Sequence, residues 1–275
     1  MDSPVKAAMV YDFDGTLSPG NMQEYDFIPS VGQKNEEFWE LSNRLAREQD
    51  ADPILAYMWI MIRAARNSDF PIRRENFVRS GRNIRLYEGV KEWFGRMNAY
   101  AAEKGFLLEH YINSSGLREM IEGTEIAHEF KRIYACSFLY DVNGVACWPA
   151  VSVNFTNKTQ FIFKINKGID SVYESKLVNQ YTPLDKRAIQ FRHIIYFGDG
   201  TTDIPCMRLV KEKGGHSIAV YPPGSDKKRA DMEKLIAEHR VDYVCAADYR
   251  DGTRLDRVVK AILDKFETDR RLETI

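Results

Sequence analysis

AAMVYDFDGTLSPG, residues 7–20, is the stretch whose reading decides the fold. An apolar run ends abruptly in two acids one residue apart, Asp12 and Asp14, followed by Gly15. Residues 5–11 have the length and apolarity of a buried strand, so DFDGT reads as its exit loop. Two carboxylates this close repel each other and gain nothing from burial, so a compensating group is needed, most simply a cation. A calcium-binding loop counted from Asp12 fails as an explanation. Leu17 stands where that loop requires Gly, and Gln23 where it requires a bidentate Glu.

Moving outward, the same pattern recurs. FLLEHYI reads as a strand ending in NSSG, and HIIYF as one running into GDGTTD. A helix precedes the first of these, with Val90, Trp93, Phe94 and Met97 at helical spacing and Gly105 as its stop. A hairpin over about 132–153 and a helix beginning near Asn166 come next. SIAVY and VDYVCA then alternate with the helical stretches DIPCMRLVKEK, DKKRADMEKLIAEH and RLDRVVKAILDKF. Such alternation predicts an α/β fold with a doubly wound, mostly parallel, Rossmann-like sheet, in which ligands sit beyond the carboxyl ends of the strands. DFDGT, NSSG and GDGTTD should therefore open at one edge.

Residues 18–85 break the alternation. EEFWELSNRLAREQ puts Phe38, Leu41 and Leu45 on one face, and Pro53 opens the apolar run ILAYMWIMI at 54–62. This is an α-helical insert, which leaves 1–17 and 86–275 as the α/β core.

Bulk composition excludes several classes. The 275 residues are 44% hydrophobic, enough for a sizeable core, and 39 Lys plus Arg balance 40 Asp plus Glu. No basic excess argues for nucleic acid or an anionic membrane. The run at 54–62 is about half of what a spanning helix requires, so no membrane segment is expected. MDSPVKAAMVYD lacks the layout of a secretion signal, which makes the cytoplasm the default compartment. Cys136, Cys147, Cys206 and Cys245 contain no CxxC pair and suit neither zinc nor a disulfide framework. A two-residue turn at Asn143–Gly144 sets Cys147 opposite Tyr140 and Cys136 opposite Val151, so those two thiols do not face each other.

Acids after one strand, hydroxyls after a second, acids after a third and a Lys upstream are the parts of phosphoryl transfer through an aspartyl intermediate. A carboxylate attacks phosphorus only if anion repulsion is cancelled, by a hard cation such as Mg²⁺, a fixed ammonium and hydrogen-bond donors. A second acid reaching the leaving oxygen completes the set.

These residues resemble the haloacid dehalogenase superfamily of phosphatases. DFDGTL is similar to its first motif, YINSSG to its second and FGDGTTD to its fourth, in order and each after a strand. The resemblance spans about residues 5–222. It implies Asp12 as nucleophile, Asp14 as the acid and base serving the leaving group and then water, and Thr16 as support for the loop and one of the phosphate-binding residues. It implies Mg²⁺ held by the Asp12 carboxylate, the Asp14 main-chain carbonyl and the Asp199 carboxylate, with Asp203 just behind. Ser114 matches the phosphate-binding hydroxyl, with Ser115 and Gly116 offering N–H groups at a helix start, where either hydroxyl is also a natural cap. The charge-neutralising Lys is assigned to Lys167, before Gly168, with Lys164 and Lys158 as rivals.

An acid two residues after the nucleophile argues against haloacid chemistry, and the absence of membrane helices against the pumping ATPases. A helical cap between the first two motifs resembles the phosphoserine phosphatase branch. That branch carries a Glu soon after the first motif, whereas Asn21 stands near that position here and Glu24 follows three residues later. Arg79, Arg82 and Arg85 read either as a carboxylate clamp or as solvated surface. The expected activity is Mg²⁺-dependent hydrolysis of a small phosphorylated metabolite. A phosphotransferase using the same intermediate is the alternative, and a non-catalytic binding protein ranks last.

Overall fold

The computed structural model describes residues 4–68, 70, 72–273 and 275. Positions 1–3 and 274 of the expected core, and 69 and 71 of the expected insert, lie outside the described residues.

Strand β1 (Val5–Tyr11) is buried along Ala7–Tyr11, as its unbroken apolarity requires of a central strand covered on both faces. It lies between β2 (Phe106–Leu117) and β5 (Ile194–Gly198), parallel to both. On one side β2 leads to β3 (Phe130–Tyr140) and the antiparallel β4 (Ala146–Val151). On the other, β5 leads to β6 (His216–Tyr221) and β7 (Tyr243–Ala246). Among the described residues the sheet order is β4-β3-β2-β1-β5-β6-β7. The chain winds outward in both directions from β1, so the switch point, and the crevice it opens, lies where β1 ends. Register places Tyr11 level with Ile112 and with Phe197. DFDGT, NSSG and GDGTTD are therefore neighbours in space.

All of the described helices between β1 and residue 81 belong to the insertion. They are a 3-10 turn (Met22–Glu24), α1 (Phe27–Ser30), α2 (Asn35–Glu48), α3 (Pro53–Asn67) and α4 (Arg74–Gly81). Asp52 caps α3 by accepting from the Ile54 and Leu55 N–H groups at 2.8 and 2.9 Å, and Pro53 takes the first turn, where no N–H is needed. The other Asp52 oxygen accepts from Asn154 Nδ2 at 2.7 Å, and Arg73 bridges to Val145, so the insertion is fastened to the core. Phe27, Phe38 and Phe77 give it an aromatic interior.

The core helices are α5 (Val90–Glu103), the short α6 (Arg118–Glu122), α7 (Lys158–Lys167), the short α8 (Lys176–Asn179), α9 (Ile204–Glu212), α10 (Asp226–Ala237) and α11 (Arg254–Leu272). None of the described helices is long and apolar enough to cross a membrane. Trp93 of α5 donates its indole N–H to the Tyr11 hydroxyl at 2.9 Å, and that hydroxyl lies 3.0 Å from His110 Nδ1, locking α5, β1 and β2 together below the crevice.

Two local expectations change. The hairpin turns through three residues, with Gly144 at φ +72° and the Asp141 N–H donating to the Val145 carbonyl. Irregularities at both ends of the ladder displace the expected pairs: Tyr140 pairs with Ala146 rather than Cys147 and Ser137 rather than Cys136 with Val151, while Phe138–Pro149 and Leu139–Trp148 between them keep the expected register. All four cysteines are free, Cys147 exposed and the other three buried. The helix expected near Asn166 starts eight residues earlier, at Lys158, and stops at Gly168 in the left-handed region (φ +71°).

Candidate active site

Asp12 follows Tyr11 directly, and its N–H donates to the Phe197 carbonyl at 2.9 Å, which ties the first acidic loop to the strand that delivers the last. Gly15, at φ +76°, lies so close to the Asp199 carboxylate that a Cβ there would collide with it. A Cβ on Gly198 would likewise strike Asp203, so the glycines of both loops are required for the acids to converge. One carboxylate oxygen each from Asp12, Asp199 and Asp203 lie within 4.8 Å of one another. Asp203, expected behind the metal ligands, is thus within reach of the same ion. The Asp14 carboxylate stands apart from these three; its Oδ1 accepts from the Met22 N–H at 2.9 Å.

Burial and crowding push Asp12, Asp14 and Asp199 towards their protonated forms. Asp12 is raised to about 6, by burial first and Asp203 in addition, against the opposing pull of Lys158. Burial, then Asp12 and Asp203, raise Asp199 to about 8. Asp14 is held well above the usual carboxylate range by burial and by the charge of Asp12.

The ammonium in this cluster belongs to Lys158. Its Nζ donates to Asp203 Oδ1 at 2.7 Å and lies 3.2 Å from Asp12 Oδ1, with the side chain fully buried. Burial lowers its pKa, but Asp12 and Asp203 together more than offset this and raise it. Tyr196 donates to the same Asp203 oxygen at 2.7 Å. The assignment to Lys167 is corrected: at the far end of α7, its Nζ donates to the Val178 and Gln180 carbonyls. Lys164 donates to the Ser171 carbonyl. Because α7 begins at Lys158, the first turn of this helix points at the acids and the last turn points away.

Ser114 is buried beside Asp12, and its Oγ accepts from the Gly116 N–H at 3.1 Å. The helix start expected at Ser115 and Gly116 is not there. Extended backbone runs on to Leu117, with a bulge between Ser114 and Leu117, and α6 opens at Arg118. Ser115 therefore caps nothing, and its Oγ is buried without a partner. Gly116 presses against the insertion: a Cβ there would strike the Met22 methyl and lie 3.1 Å from Asp14 Oδ2. Thr16 is corrected as a phosphate ligand. It is buried away from the cavity, and its carbonyl accepts from the Tyr249 hydroxyl at 2.8 Å.

A cavity of about 460 Å³ opens over the acids. Asp12, Asp14, Ser114 and Asp199 line its floor, while Gln23, Trp39, Ile54 and Tyr57 of the insertion supply its roof. The Tyr57 hydroxyl donates to the Ser115 carbonyl at 2.7 Å, joining α3 to the end of β2. Glu24 Oε1 accepts from Trp39 Nε1 at 2.7 Å and from Asn21 Nδ2 at 2.6 Å. Arg79, Arg82 and Arg85 do not line the cavity. The roof residues were not legible in sequence, because helical periodicity marks Trp39 and Tyr57 only as packing positions.

The donor set suits a hard divalent cation. Its groups are carboxylates, with no His or Cys in the cluster, and one Lys ammonium at its centre cannot neutralise the surrounding acids.

A family model described as haloacid dehalogenase-like hydrolase matches residues 9–208. An uncharacterized protein of Borreliella burgdorferi is 30% identical over 279 residues, covering 90% of this chain and 93% of its own. A HAD family hydrolase from Salmonella enterica serovar Typhi superimposes with a TM-score of 0.56 at 15% identity, over 94% of this chain and 72% of that one. A substrate-bound phosphoserine phosphatase gives 0.55 at 14% identity, over 94% and 99%. At such identities the likeness is one of fold.

Proposed function

The chain belongs to the haloacid dehalogenase-like hydrolases, and from that premise we propose that it is a phosphatase of small phosphate monoesters, with Asp12 as nucleophile. The observation that carries this reading is the buried Lys158 ammonium shared between Asp12 and Asp203, directly beneath a cavity lined by Asp14 and Ser114. A neutralised carboxylate at the end of a strand, with a second carboxyl above it, is the arrangement that nucleophilic substitution at phosphorus needs.

An Asp12 carboxylate oxygen forms the bond to phosphorus while the bond from phosphorus to the ester oxygen breaks. Lys158, on the same carboxylate, offsets charge on the phosphoryl group, and Ser114 offers its hydroxyl beside it. Asp14, which burial and the Asp12 charge hold towards its protonated form, gives a proton to the departing alkoxide. It then accepts a proton from the water that attacks phosphorus, which frees phosphate and restores Asp12. Asp12 and Asp199, with Asp203 in reach and the Asp14 carbonyl implied by the family motif, would hold Mg²⁺. When bound, the ion supplies positive charge against the phosphoryl oxygens. Residues 18–85 act as the cap, shielding the reaction from bulk water.

The test is phosphate release from a panel of monoesters with and without Mg²⁺, comparing the parent with Asp12→Asn. Turnover that needs Mg²⁺ and vanishes in the variant is expected. Turnover that survives the substitution overturns the assignment, and turnover only with an added alcohol acceptor makes the protein a phosphotransferase.

A further inference from the structure

Resting on the phosphatase reading, we propose that the leaving group is a neutral polyhydroxylated alcohol, that of a sugar or polyol phosphate, with Gln23 as the main specificity-determining residue. Gln23 is 2% exposed, lines the cavity roof, and its Oε1 has no hydrogen-bond partner. Two further cavity-lining residues carry the same feature: Ser115 Oγ and the Tyr87 hydroxyl are buried and unpartnered. An unsatisfied buried polar group costs about 1–3 kcal/mol, and a small side-chain rotation at these three cavity-lining residues would bring each group to a bound ligand and relieve that cost. All three are neutral, and two of them both donate and accept through a hydroxyl. Substrate hydroxyls supply what they lack.

The rest of the roof agrees. Trp39 spends its N–H on Glu24 and Tyr57 its hydroxyl on the Ser115 carbonyl, so both rings offer carbon surface to the cavity, continued by Ile54. The rings meet edge to face at 65° with centroids 5.9 Å apart. They form a corner for a puckered ring or bent chain rather than the parallel slot that would sandwich a flat base. Charge argues the same way. Among the described residues lining the cavity Lys228 alone is basic, and it is exposed at the rim. A substrate carboxylate would therefore meet the acids of the floor without a buried cation to hold it. Glu24, behind the roof rather than in the cavity lining, already receives two donors on one oxygen as it orients Trp39.

The experiment compares kcat/KM of the intact protein with Mg²⁺ on polyol phosphates, aldose phosphates, O-phosphoserine and AMP, with p-nitrophenyl phosphate as a generic ester. Polyol or aldose phosphates are expected to exceed O-phosphoserine and AMP at least tenfold. Gln23→Leu is expected to lower kcat/KM for them about 10–100-fold, more than for p-nitrophenyl phosphate, with Gln23→Asn recovering part of the loss. Should Gln23→Leu not fold, Ser115→Ala, which removes one oxygen, is expected to depress the same substrates selectively. Preference for O-phosphoserine or AMP, alongside turnover of p-nitrophenyl phosphate, overturns this inference and leaves the phosphatase reading standing. No turnover of any ester overturns that reading and this inference with it.

Discussion

The floor of the cavity, where β1, β2 and β5 end, carries Asp12, Asp14 and Asp199 with Asp203 and Lys158 buried beneath them, whereas its roof presents Trp39, Tyr57, Ile54 and neutral polar residues. The floor is held by strand register, glycine contacts and a buried ion pair, so its acids have almost no freedom to separate. Helices fastened at a few points, Asp52 to Asn154 and Tyr57 to Ser115, hold the roof. The difference teaches that the densest fastening is concentrated where charge must converge, and the sparser fastening lies over the mouth of the cavity.

Substitutions in the two regions should therefore have effects of different size. Asp12→Asn should have the largest, lowering kcat by at least ~10³-fold in a steady-state phosphate assay while a single cooperative melt is retained. Next comes a contrast within one helix. Lys158→Ala leaves Asp12 and Asp203 buried without their cation and should destabilise the metal-free protein by about 3–5 kcal/mol in a urea titration. Lys167→Ala, nine residues along α7, should cost no more than about 1 kcal/mol.

Asp199→Asn has the opposite sign. Its carboxyl titrates at about 8 in the folded chain and near ~3.9 in the unfolded one. The folded state thus binds more protons between these values, and stability falls as pH rises towards 8. The metal-free variant should therefore be more stable than the parent at pH 7.5, by roughly 1–2 kcal/mol in thermal melts, and Mg²⁺ should raise its melting temperature less. Between pH 6.5 and 8 the metal-free parent should lose stability with a slope the variant reduces. Below that range His110 and His193 oppose the trend, because burial lowers them to about 3 and about 4 and their stabilisation is lost as pH falls from about 6.5. At the roof, Tyr57→Phe should have a smaller effect than any floor substitution, about 1 kcal/mol in the melt and a change of a few-fold, seen mainly in KM. A loss in kcat as large as that of Asp12→Asn would erase the distinction between floor and roof.

What could be read in advance follows the range of the interactions. The strand-then-acid stretches at Tyr11–Asp12 and Gly198–Asp199 are legible because apolar run, turn and carboxylate are adjacent in the chain, and parallel winding then forces such loops to one edge. The hairpin keeps its expected register only at Phe138–Pro149 and Leu139–Trp148, because its turn uses three residues with Gly144 left-handed and irregularities flank those pairs, features that residue types do not specify uniquely. Ser115 and Gly116 lie in extended backbone rather than at a helix start because the bulge carries β2 on to Leu117. Lys158 was one of three candidates. Choosing among them requires knowing where α7 begins and which of its ends faces β1, and apolar spacing does not fix either.

By itself the sequence determined the alternation of strands and helices, the helical insertion and the identity of the acids, because each rests on contacts within a few residues along the chain. Tertiary structure alone decided that Lys158 neutralises Asp12, that Asp203 joins the acidic cluster, and that Gln23, Trp39 and Tyr57 close over the floor. Those pairings join residues 45 or more positions apart, or elements from different layers, and they exist only once the packed sheet has brought them together.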